Sequence, residues 1–224
     1  FYFSGLSRYG ASILWACDLD VKRAQSWGEK YKARHTTRYQ EILADPTVNT
    51  VIISCTTSAH KEICLSAIKS GKAVICEKTL SLNAADSMEI IQQARRYKTL
   101  FYTAYMKRFM PAVEKAKELF VDIGRPLSMH IQTYQPWGDL WGANPAEGFF
   151  HTPSDRQSDV LKYYGGGILL CGGSHLLDLV LHFLGRPKKL FAWSHTPADR
   201  DYDLHTAVLM ETGNGIVQLE ALAH

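Results

Sequence analysis

Short β-branched and apolar runs recur through the first half of this chain at intervals of about 25 residues, each followed by a helical pattern. Ser12-Ile-Leu-Trp-Ala-Cys17 ends in Asp18 and precedes a polar helix from about Lys22 to Tyr31. Thr50-Val-Ile-Ile-Ser-Cys55 is apolar on both faces, as a central parallel strand must be. Thr56-Thr57-Ser58 can cap a helix running from Ala59 to Ser70, which Gly71 closes. Lys72 to Cys76 and Thr99 to Ala104 are the next strands, with a helix capped by Asn83 between them. Tyr39 to Ala44 suits a short helix stopped by Asp45-Pro46. Strands alternating with helices predict right-handed crossovers and a Rossmann-like, doubly wound parallel sheet.

The pattern changes after Pro111, which opens a helix ending near Gly124. Leu127 to Tyr134 alternates like a strand, and further strands are predicted near Lys189 to Ser194, His205 to Glu211 and Ile216 to Leu222. Strands gathered around a single helix suggest an α+β unit with a largely antiparallel sheet, so the expected class is α/β followed by α+β. That helix is bracketed by Gly165-Gly166-Gly167 and Gly185-Arg186-Pro187. It is apolar around most of its circumference and should be buried. Cys171, His175, Asp178 and His182 follow one another at spacings of four, three and four, which puts them on one stripe. Such a stripe is either a site or a hydrogen-bonded seam. The three glycines favour close approach by a backbone or a ligand. Metal binding by the stripe is disfavoured, because its ends lie about three turns apart.

With 46% hydrophobic residues the chain can bury a sizeable core. A net charge of +3, with dispersed lysines and arginines, gives no footprint for nucleic acid, and no apolar run is long enough to span a membrane. Five cysteines without a CxxC pair read as small hydrophobes in a reducing, cytoplasmic setting. The terminal sequences resemble an interrupted helix and strand, so the chain is expected to be an internal fragment, and a signal peptide ahead of residue 1 would not be visible.

Open parallel sheets bind ligands beyond the carboxyl ends of their strands. Those ends are Asp18, Cys55-Thr56-Thr57, Cys76-Glu77-Lys78-Thr79 and Ala104-Tyr105. An acid at Asp18 could hydrogen-bond a ribose or simply cap a turn. Glu77-Lys78 could be a surface pair, or Lys78 could hydrogen-bond a substrate hydroxyl and help move its proton.

Taken in order, Asp18, Thr50 to His60, Val74-Ile-Cys-Glu-Lys-Thr-Leu-Ser81, Lys107-Arg-Phe-Met-Pro111, Gly124-Arg-Pro-Leu127 and Gly165-Gly-Gly to His175 to Asp178 resemble the Gfo/Idh/MocA family of NAD(P)-dependent oxidoreductases. The resemblance implies a dinucleotide-binding domain over 1–106 and a substrate-binding and oligomerisation domain over 107–224, the latter with an open sheet that serves as a subunit interface. It implies NAD as cofactor, with NADP possible, and a sugar, cyclitol or related polyol as substrate. Lys78 would contact the reacting hydroxyl and His175 would be the general acid/base. Asp18, Thr56, His60, Glu77 and Thr79 would hold the cofactor. Two residues depart from the family pattern: Thr79 stands where the motif has Pro, and Cys171 where it has Asp. A thiol replaces a carboxylate poorly as a partner for hydroxyls. Trp137, Trp141 and Arg156, with Cys171, are the expected substrate contacts, since aromatic faces with nearby donors suit sugars; the same loop could instead pack its own Trp side chains. The resemblance further implies a homodimer or homotetramer assembled through the C-terminal sheet. Two other functions stay open: a cofactor-binding regulator without turnover, and an NAD-dependent glycosidase.

Overall fold

A computed structural model describes residues 2–135, 165–198 and 201–223, so Trp137, Trp141 and Arg156 lie outside the described residues. Two compact units divide the chain. The first comprises Phe1–Ser54, Lys61–Cys76 and Met88–Tyr102; the second takes in Cys55–His60, Glu77–Ser87 and Thr103–His224. Residues 55–60 and 77–87, which follow two of the predicted strands, therefore belong to the second unit.

In the first unit β1 (Trp15–Cys17) pairs in parallel with β2 (Arg34–Thr36), and β3 (Thr50–Ile53) pairs in parallel with β4 (Ala73–Cys76), beyond which lies β5 (Phe101–Thr103). Helices α1 (Tyr2–Arg8), α2 (Val21–Tyr31), α3 (Tyr39–Ala44), α4 (Thr57–Lys69) and α5 (Ala84–Arg96) fall where the sequence predicts them. The N-cap of α2 is Asp20, whose carboxylate accepts from the N–H groups of Lys22 and Arg23. Asn83 Oδ1 accepts from Asp86 N at the start of α5. Strand β2 is not anticipated by the sequence reading. Its Arg-His-Thr run lacks apolar alternation, and its neighbours hold it: the Arg34 guanidinium lies 4.2 Å from the Trp15 ring centroid and pairs with Asp45, which also accepts from Trp15 Nε1 at 2.8 Å.

The second unit is built on a four-stranded sheet in the order β6 (Ser128–Gln135), β9 (Gly215–Ala223), β8 (His205–Thr212), β7 (Pro187–His195). β6 and β9 run parallel, while β9–β8 and β8–β7 are antiparallel, so the sheet is mixed but mostly antiparallel. Side chains alternate with period two. Val208, Met210, Val217 and Leu219 face inward against Leu176, Val180 and Leu184 of α7 (Ser174–Leu184). The opposite face leaves Tyr134, Phe191, Trp193, Leu209 and Ile216 exposed. A 3-10 turn (Met106–Phe109) and α6 (Pro111–Leu119) precede the sheet. No described helix is long and apolar enough to cross a membrane.

The glycine-bracketed stretch is not one regular helix. A π-helical turn over Leu169–Gly173 precedes α7, and Gly185 ends α7 with φ 80°. The extra residue in that turn takes Cys171 out of the α-helical register that links His175 to Asp178. Single π turns of this kind are enriched at functional sites.

Candidate active site

Within the second unit, the turn after β4 carries Lys78. Glu77 Oε2 accepts from the Lys78 backbone N–H at 3.0 Å, and the Lys78–Thr79 peptide is cis. The side chain of Lys78 is largely withdrawn from water, and Nζ donates to the carbonyl oxygen of Cys171 at 2.5 Å. That withdrawal lowers the ammonium pKa from its ordinary value, because burial disfavours the charged form.

His60, in the first turn of α4, is fully buried. Its Nδ1 lies 2.9 Å from Thr79 O and its Nε2 3.2 Å from Cys55 O. The ring therefore ties the end of β3 to the turn that carries Lys78. Thr56 is half-buried, with its hydroxyl 3.2 Å from that of Ser58.

Asp203 shapes the opposing segment. Its carboxylate accepts from Gly167 N at 3.0 Å, Leu169 N at 2.9 Å and Thr206 Oγ1 at 3.0 Å. A Cβ on Gly167 would sit 2.0 Å from the Asp203 carbonyl oxygen, so this glycine admits protein backbone rather than a ligand. Asp203 drew no attention in the sequence; its only local signal is a carboxylate between two segments predicted to be buried. Downstream, burial pushes the Cys171 thiol up to about 11, so it is neutral at physiological pH. Its sulfur faces Gly166 O at 3.7 Å.

His175 is the most perturbed base of the site. Burial, followed by the fields of Lys78 and Lys107, lowers its pKa to about 4, so the ring is neutral near pH 7. Its Nδ1 is buried with no hydrogen-bond partner, as is Ser174 Oγ. An orphaned buried acceptor or donor costs about 1–3 kcal/mol, a cost that a substrate hydroxyl at that nitrogen would remove. Tyr105 meets the ring edge-on, centroids 6.0 Å apart. Asp178, buried three residues further along α7, takes both arms of Arg108: Nε to Oδ2 at 2.7 Å and Nη2 to Oδ1 at 2.5 Å. A buried acid on an apolar helix calls for a partner, but nothing local in the sequence names Arg108 as that partner.

One unit thus holds an ammonium group with a lowered pKa, bonded to the carbonyl four residues before a neutral imidazole whose ring nitrogen is unsatisfied. That combination can relay a proton to or from an oxygen placed between them. Asp18 belongs to the first unit. There it accepts from Asp20 N at 2.9 Å and faces Arg23 at 3.6 Å.

Residues 6–105 match the model described as "Oxidoreductase family, NAD-binding Rossmann fold", and residues 113–221 match the "GFO/IDH/MocA C-terminal domain". The chain belongs to the Gfo/Idh/MocA oxidoreductase family. Among the relatives of this family member, the trans-1,2-dihydrobenzene-1,2-diol dehydrogenase of Bos taurus is 34% identical, over 87% of this chain and 55% of its own. The myo-inositol 2-dehydrogenase of Thermotoga maritima is 27% identical, over 85% of this chain and 52% of its own. The inositol 2-dehydrogenase of Salmonella paratyphi B is 29% identical, over 56% of this chain and 39% of its own. The chain therefore spans about half the length, or less, of these curated relatives. Of the solved structures, an NAD binding oxidoreductase from Klebsiella pneumoniae superposes with TM-score 0.80 at 24% identity, covering 94% of this chain and 57% of its own. A levoglucosan dehydrogenase in complex with NADH and levoglucosan gives TM-score 0.80 at 22% identity, covering 92% and 56%. At these identities the superpositions speak to the fold.

Proposed function

We propose that the whole protein is an NAD(P)-dependent oxidoreductase that moves hydride between nicotinamide and a carbon of a sugar, cyclitol or related polyol or ketone. The observation that carries this reading is the approach of Lys78 to the segment bearing His175, with an unpartnered imidazole nitrogen in the same unit. In the oxidative direction His175 Nδ1 takes the hydroxyl proton of the substrate. Lys78 donates a hydrogen bond to the same oxygen as it becomes a carbonyl, and the carbon gives up hydride. The nicotinamide ring, when bound, supplies the hydride acceptor. Thr56, Glu77 and Thr79, at or beside strand ends, would line the cofactor, and Asp18 would meet its ribose. His60, buried between two carbonyls, would shape that wall from behind. Cys171, with Trp137, Trp141 and Arg156, would face the substrate.

The test uses the full-length protein with NAD and NADP and a panel of sugars, cyclitols and polyols. Reduced-nicotinamide absorbance should grow with at least one member, and Lys78→Ala should slow turnover by about 100-fold or more. Cofactor binding without turnover on any member would instead favour a binding-only role. The exposed sheet face bearing Phe191 and Trp193 is proposed as the contact with a second copy of the chain. Phe191→Glu should then halve the mass seen by light scattering, and an unchanged mass would rule that contact out.

A further inference from the structure

A histidine that takes a proton from substrate must keep one ring nitrogen aimed at it, yet the terminal torsion of an imidazole is broad and roughly two-fold. Acid–base sites commonly fix the ring through a carboxylate or carbonyl bonded to its other nitrogen. Among the described residues, neither Nδ1 nor Nε2 of His175 has such a bond. Asp178, the acid of the same helix, gives both its oxygens to Arg108. The sulfur of Cys171 faces Gly166 O. What meets the imidazole instead is a second ring. Tyr105 lies against it at an interplanar angle of 86°, with centroids 6.0 Å apart. Edge-to-face pairs at such separations are attractive and depend on orientation.

The contact is braced. Tyr105 opens the 3-10 turn over Met106–Phe109, and its carbonyl accepts from Arg108 N at 3.3 Å. The Arg108 guanidinium then grips Asp178 at 2.7 and 2.5 Å, about one helical turn beyond His175. Turn and helix are thus tied together beside the place where the two rings meet. The phenol makes no hydrogen bond among the described residues, so the ring rather than the hydroxyl carries the contact.

Resting on the oxidoreductase reading above, we propose that Tyr105 is a positioning residue for His175: its ring, held by the Arg108–Asp178 fork, fixes the plane of the imidazole so that Nδ1 faces the substrate hydroxyl. It acts on the histidine and not on the substrate. The charged groups that act on the imidazole, Lys78, Lys107 and Asp178, are left in place by changes at Tyr105.

Full-length Tyr105→Leu and Tyr105→Phe are compared with the parent on the best polyol of the panel, with turnover expressed per NADH-binding site counted by fluorescence titration. Tyr105→Leu should lower kcat about tenfold or more while KM stays within about threefold, because the base is misaligned and binding survives. Tyr105→Phe restores the ring and should rescue most of that loss. A second readout needs no turnover: the His175 imidazole is titrated by NMR, with His175→Gln assigning its signal. Water admitted by Tyr105→Leu should move that titration up from about 4 towards 6.5, and Tyr105→Phe should leave it in place. Equal losses in the two variants would assign the effect to the phenol hydroxyl and overturn the proposal, as would a leucine variant with the parent's kcat and titration. A loss confined to the number of NADH-binding sites would make Tyr105 merely structural and overturn it too. No turnover by the parent on any polyol overturns the oxidoreductase reading, and the positioning role with it, whatever the titration shows.

Discussion

The imidazole of His175 is the residue on which the chemistry turns. A ring held at about 4 by burial and two lysines is neutral through the physiological range, and a neutral ring is what a proton acceptor requires. In the free enzyme the acidic limb of kcat/KM for oxidation should therefore fall near pH 4 rather than near 6.5. Stability carries the same signature. Between those two values the unfolded chain binds a proton that the folded one does not, so His175 opposes folding increasingly as pH falls from 6.5 towards 4 and no further below that. His175→Gln should flatten that part of a stability-against-pH profile measured by urea unfolding; an unchanged slope would show that another group governs it. The identities of Lys78 and His175 as candidates were legible from sequence through strand-end position and family resemblance. Their electrical state was not, because it depends on Lys107 and on the pairing of Asp178, neither of which leaves a local pattern.

Among the elements, α7 and the 3-10 turn over Met106–Phe109 are joined by the Arg108–Asp178 fork. Side-chain exposure of 38% and 9% for the two partners makes the acid the one that loses most if the pair is broken. Arg108→Ala should cost about 3 kcal/mol in urea unfolding, with Arg108→Lys recovering part of it, since the planar two-pronged geometry is lost but the charge is kept. A cost below about 1 kcal/mol would mean that water replaces the guanidinium. The sequence marked most elements well where punctuation was strong: α3 matches Tyr39–Ala44 and stops at Asp45-Pro46 as expected. It failed where pairing outweighs propensity. Strand β2 exists through its parallel partner and the Trp15–Arg34–Asp45 cluster. The π turn over Leu169–Gly173 is invisible in an unbroken apolar run, since only the close approach of Asp203 and Gln135 to the glycines marks it.

On the scale of the whole molecule, the mixed sheet and α7 form a core whose apolar register was readable from period-two alternation and the helix pattern. The parallel pairing of β6 with β9 was not, because alternation fixes which face a residue takes but not which strand lies beside it. The glycines that open this stretch could have served a ligand or a neighbouring backbone; Gly167 serves the backbone of Asp203, which leaves the functional argument to Lys78 and His175. If those two side chains act on one oxygen, they form a single working unit, and their losses cannot multiply. The decisive measurement is a double-mutant cycle on kcat/KM with Lys78→Met, His175→Gln and the combined variant in the full-length protein. Turnover in the combined variant close to that of the poorer single variant is the predicted result; a loss equal to the product of the two single losses would contradict a shared oxygen.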